Sequence, residues 1–111
     1  MNIKAMAENL EMESGEFMDL LGFFVEKSAS DLERLESAVK SGDILEVVEA
    51  SHSIKGAAGN LGFMNIYEIA KEIEANGREN NLDCEAAVRA LREALDVVGH
   101  TIKQWDCDVM G

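Results

Sequence analysis

The chain has 111 residues, of which 22 are acidic and ten basic, so its formal net charge is −12. That charge repels nucleic-acid phosphates and anionic membranes and favours partners with basic surfaces. The longest clean apolar run, Leu20 to Val25, contains Gly22 and is far too short to span a bilayer, and residues 1–8 have no continuous apolar stretch of a secretory signal, so a cytoplasmic location is expected.

At this length one domain covering 1–111 is expected, large enough to bury about two-thirds of the surface that its unfolded form exposes. Proline is absent, and the punctuation is glycine with a few polar caps, as suits long helices. A short helix is predicted over about residues 3–12, with Ile3, Met6 and Leu10 on one side. After Ser14-Gly15 a long helix runs from about Glu16 to Lys40, in which Met18, Leu21, Val25, Ser28, Leu32, Leu35 and Val39 repeat at steps of three and four. Ser41-Gly42 makes the next turn, and Asp43 with Glu46 three residues on forms a capping box for a third helix ending near Asn60 and Gly62.

A fourth helix over about Met64 to Asn76 buries Ile66, Ile69, Ala70 and Ile73 and ends at Gly77. Asp83 caps the last helix, where Cys84, Val88, Leu91, Leu95, Val98, Ile102 and Trp105 form the apolar seam. Four long helices joined by short turns favour an all-α, antiparallel up-and-down four-helix bundle over about 16–105, with the N-terminal helix as an extra. The two cysteines lack C-x-x-C spacing, so neither zinc nor redox chemistry is indicated; Cys84 is expected buried and Cys107 exposed in the tail.

The third helix carries the chemistry. Val47, Ala50, Ile54, Ala57 and Leu61 make its apolar face. Lys55, Gly56 and Gly59 follow His52 by three, four and seven positions and therefore share the opposite face with it. Each glycine inside a helix costs on the order of 1 kcal/mol relative to alanine. Gly56, one turn beyond His52, leaves clearance over the imidazole for a phosphoryl group and a second protein, and Lys55 supplies positive charge for an anion on the ring. Gly59 extends that clearance. Leu45 and Val48, seven and four residues before His52, lie near the same face with Glu49; they either form an apolar strip that receives a partner or pack against a neighbouring helix edge.

The run His52-Ser53-Ile54-Lys55-Gly56-Ala57-Ala58-Gly59-Asn60-Leu61-Gly62 resembles the H-x-x-K-G-small-small-x-x-hydrophobic-G signature of histidine-containing phosphotransfer (HPt) domains. The resemblance continues through Ile69 to Glu74 and Gly77-Arg78, which look like the family's next helix and its end. It implies a phosphorelay intermediate. His52 would accept a phosphoryl group through Nε2 from a phospho-aspartate on a receiver domain and pass it to an aspartate of another response regulator receiver. Lys55 would stabilise charge on the phosphoryl oxygens. The implied partners are receiver domains and a hybrid sensor histidine kinase. Magnesium would sit on the partner receiver, and no cofactor would be bound by this chain.

Kinase parts are absent: there is no G-x-x-x-x-G-K-[ST] loop, and Gly56, Gly59 and Gly62 fall inside or at the end of a helix rather than after a strand. A phosphohistidine carrier without kinase activity of its own is therefore expected. Glu49-Ala50-Ser51-His52 is an E-x-x-H as found in di-iron bundles, but His100 is preceded three positions earlier by Val97, so the second motif is missing and no metal site is expected. His100 reads as an ordinary polar position. The rival reading is a non-transferring bundle that binds a receiver or kinase as an adaptor or inhibitor; retention of His52, Lys55 and Gly56 together argues for transfer. Met1 and the complete bundle favour a free-standing module, and a monomer is expected.

Overall fold

A computed structural model describes residues 3–110, and the side chains of residues 3–104. The described residues form five helices and no strand: α1 Ile3–Asn9, α2 Ser14–Ser41, α3 Ile44–Leu61, α4 Met64–Arg78 and α5 Glu85–Met110. The side chains of Trp105 and Cys107 lie outside the described residues. Among the described residues, no helix is long and apolar enough to cross a membrane.

The helix ends follow local chemistry. Gly42 and Gly62 take left-handed conformations at φ 76° and 79°, which let the chain turn while their N–H groups return to the last carbonyls of α2 and α3. Asp43 Oδ1 accepts from the Glu46 N–H at 3.2 Å and caps α3. The reciprocal half of the expected box is not made, because the Glu46 carboxylate accepts from Arg34 of α2 instead, at 2.6 Å from Nε.

Three expected boundaries shift. α1 stops at Asn9 because Glu11 turns to φ 56° and the Met12 N–H returns to Ala7 O; its buried side chains are Ile3 and Ala7, while Leu10 is exposed. α4 runs through Gly77 to Arg78, and the reversal falls on Asn80 at φ 62°. Asp83 stands two residues before α5, its N–H held by Asn81 Oδ1, and the first α5 turn closes on the Cys84 carbonyl.

α2 packs on α3, α3 on α4, α4 on α5, and α5 returns to α2, with α1 against α2. The helices thus enclose one core, built on Phe17, Leu21, Leu35, Val47, Ile54, Ile66, Ile73 and Leu91. The α2 seam is rotated from the expected one: Phe17, Phe24 and Ala38 are buried, whereas Met18, Val25 and Val39 are half-buried. The reason is aromatic area, since Phe24 packs on Phe63 with ring centroids 5.2 Å apart. On α3, Ala58 is fully buried and Ala57 only partly so.

Candidate functional site

Two acids enter this core, Asp31 on α2 and Glu74 on α4, and they bracket α3. A buried carboxylate must be hydrogen-bonded or paired with opposite charge, and both are. On one side, Ser53 Oγ donates to Asp31 Oδ2 at 2.6 Å, and Lys27 Nζ reaches the same oxygen at 3.4 Å and Ser53 Oγ at 3.1 Å. Arg34 donates to Asp31 Oδ1 at 3.0 Å. On the other side, Glu74 Oε1 accepts from Lys55 Nζ at 2.6 Å, and its Oε2 accepts from Arg78 at 2.9 Å and from His52 Nδ1 at 2.9 Å.

Burial is the largest influence on the Glu74 carboxyl and pushes its pKa up; the hydrogen bonds from Lys55, Arg78 and His52, with the nearby Lys55 charge, outweigh it and hold the pKa at about 2. Glu74 is therefore an acceptor only near neutral pH. A neutral imidazole facing it must carry its proton on Nδ1, which leaves the Nε2 lone pair free. The His52 side chain is 63% exposed, and Nε2 has no partner within the described residues. The site is thus an oriented imidazole with an available nucleophilic nitrogen, held by a carboxylate from the adjacent helix.

The other residues singled out from sequence take distinct places. Lys55 is close to His52 but engaged by Glu74, with 23% of its side chain exposed. A Cβ built on Gly56 would meet nothing within 4 Å, so the space beside the imidazole is open. Gly59 is exposed, but a Cβ there would lie 3.3 Å from the Tyr67 ring; its missing side chain accommodates α4, and the clearance expected at this glycine is bounded by Tyr67. Leu45 is 68% exposed and Glu49 is exposed, whereas Val48 is half-buried and packs against α4 at Gly77. The surface next to His52 is therefore formed by Leu45, Glu49, Gly56 and Gly59, with Val48 beneath its edge.

Glu74, Arg78 and Asp31 were not singled out as site residues from sequence. Their signal was present: Glu74 lies four residues after Ala70 and three before Gly77, and Asp31 three after Ser28 and four before Leu35, so each is an acid on its helix's buried side. Among the described residues, no group of three or more His, Cys, Asp or Glu is placed to hold a metal ion, and Nδ1 of His52 is turned to Glu74. Cys84 is buried; that burial, reinforced by Asp83 and Glu85, raises its thiol pKa and makes it a poor nucleophile.

Comparison with known proteins now bears on this geometry. The family model described as Hpt domain matches residues 19–101. No curated protein matches. Among solved structures, the crystal structure of histidine-containing phosphotransfer protein B (HptB) from Pseudomonas aeruginosa PAO1 is similar, with a TM-score of 0.82 and 27% sequence identity over 94% of this chain and 91% of that one.

Proposed function

The chain belongs to the Hpt domain family, and on that premise we propose that it is a phosphorelay intermediate in which His52 takes a phosphoryl group from a phospho-aspartate of one receiver domain and delivers it to an aspartate of another. The observation that carries this reading is the exposed imidazole whose Nδ1–H donates to Glu74, beside the open space at Gly56.

In the accepting step Nε2 attacks phosphorus in line; the N–P bond forms, the acyl P–O bond breaks, and the donor's aspartate leaves as a carboxylate. The ring becomes cationic, and Glu74 stabilises it through the Nδ1–H bond. In the donating step a second receiver's carboxylate attacks phosphorus and the imidazole departs neutral, its Nδ1 proton unmoved. In this scheme Lys55, which shares the Glu74 carboxylate with His52, divides its charge between Glu74 and the phosphoryl oxygens. Magnesium belongs to the receivers in this scheme, and this chain binds no cofactor. It has no kinase activity, so a hybrid sensor histidine kinase is the upstream source.

The cycle of helix contacts is read as an antiparallel up-and-down four-helix bundle, α2 to α5, with α1 as an addition. The proposal includes a single domain over 1–111, acting as a cytoplasmic monomer. The test is incubation with a phosphoryl-labelled receiver: label that is acid-labile and alkali-stable on this chain, and absent from His52→Gln, supports the relay. Binding of the receiver with no transfer would replace it with the adaptor reading.

A further inference from the structure

Asp31 is buried in α2, 3% exposed, and no step of phosphoryl transfer uses it. A carboxylate there gives up its hydration, so what it bonds to has to compensate. Ser53 Oγ of α3 donates to its Oδ2 at 2.6 Å, Lys27 reaches the same oxygen at 3.4 Å, and Arg34 donates to Oδ1 at 3.0 Å. Arg34 is itself held by Glu46 of α3, which fixes the acceptor presented to Ser53.

Ser53 is the residue after His52. A serine inside a helix ordinarily returns its hydroxyl to the carbonyl four residues back, as Ser51 does with Val47 O at 2.6 Å. Ser53 crosses to α2 instead. Within one turn α3 is thereby gripped on two flanks, by Glu74 of α4 through His52 and Lys55 and by Asp31 of α2 through Ser53. Around these grips the buried face of α3 is built on Ala50 and Ala58 beside Ile54, and Gly56 and Gly59 interrupt the outer face. Small side chains interdigitate little with neighbouring helices and resist rotation about the helix axis less than large ones do.

The tolerance at the imidazole is narrow. Side-chain atoms lie roughly 5–6 Å from a helix axis, so a rotation of about 10° moves them by about 1 Å. Added to the 2.9 Å between His52 Nδ1 and Glu74 Oε2, that displacement takes the pair out of hydrogen-bond range. A neutral ring without this acceptor is no longer confined to the Nδ1–H tautomer, and whenever Nε2 carries the proton it has no lone pair for phosphorus.

We propose that Asp31 and Ser53 are positioning residues for phosphoryl transfer: their hydrogen bond sets the rotation of α3 that keeps His52 Nδ1 on Glu74 and Nε2 free. This rests on His52 as the phosphoryl acceptor. Neither residue touches the reacting atoms.

The experiment uses the full chain and two readouts. Imidazole 15N shifts of His52, taken where the ring is neutral, report its tautomer with no partner present. Transfer from a receiver domain charged with labelled acetyl phosphate and magnesium gives kcat, with Kd for the same receiver measured in parallel. Ser53→Ala lowers kcat by roughly tenfold with Kd unchanged and moves the His52 shifts toward a mixture of tautomers. Ser53→Thr keeps the hydroxyl and restores both. Asp31→Ala reproduces the Ser53→Ala effect, and the double variant is no slower than the slower single one, because the two residues act through one bond; if Asp31→Ala does not fold, the Ser53 variants decide. Wild-type kcat and shifts in Ser53→Ala would overturn the proposal, as would weaker receiver binding with the His52 shifts unchanged, which would make Ser53 a contact residue. If the wild type binds the receiver without accepting label, the phosphotransfer reading falls, and the 15N shifts still decide whether Asp31 and Ser53 position the ring.

Discussion

Nδ1 of His52 and Oε2 of Glu74 lie 2.9 Å apart across the α3–α4 interface, and this pair decides which nitrogen of the imidazole is free. The exposed ring is coupled to a carboxylate that is 6% exposed and also binds Lys55 and Arg78. One buried acid therefore sets the tautomer of the neutral imidazole and holds the cations beside it.

Glu74 also ties stability to pH. Its folded pKa is lowered from 4.5 to about 2, so it stabilises the fold while ionised; the contribution is complete above about pH 4.5 and is lost as pH falls through about 2. The difference corresponds to on the order of 3 kcal/mol. Urea unfolding of the wild type at neutral pH and near pH 2.5 should show most of that loss, and Glu74→Gln should be less stable at neutral pH and lose less on acidification. Parallel losses in the two proteins would remove Glu74 as the source.

Two glycines one helix apart respond oppositely to alanine. Gly56→Ala adds a methyl group into open space, so the fold gains up to about 1 kcal/mol from helix propensity while phosphoryl transfer slows. Gly77→Ala puts a Cβ 3.1 Å from Val48 and 3.3 Å from Val47. Both neighbours are β-branched and stiff in a helix, and Val47 is fully buried, so overpacking outweighs propensity and the net cost is about 1–2 kcal/mol. Denaturant midpoints for the two variants should move in opposite directions.

Ser28 Oγ is buried in α2 without a hydrogen-bond partner among the described residues. Ser28→Ala removes an unsatisfied hydroxyl and improves helix propensity, and should raise stability by about 1 kcal/mol. A lower melting temperature in the variant would show that the hydroxyl is satisfied in solution.

Much of this was legible along the chain because helix faces are local. Counting residues at about 100° each separates His52, Gly56 and Gly59 from Val47, Ala50 and Ile54 without knowing any neighbour. The same counting missed the rotation of the α2 seam, since Phe24 is drawn inward by Phe63, 39 residues away. It also assigned Gly77 to a helix end, when the reason for that glycine is the approach of Val47 and Val48.

The sequence by itself determined the helices, their glycine and aspartate boundaries at Gly42, Asp43 and Gly62, and the outward placement of His52, because each depends on contacts within a few residues. Only the tertiary structure decided that Glu74 rather than Glu49 faces the imidazole, that Lys55 is held by that same carboxylate, and that Asp31 grips Ser53 on the opposite side. These pairings span 19 to 22 residues. They depend on how α2 and α4 are rotated against α3, which the packing of the whole core sets and no local spacing encodes.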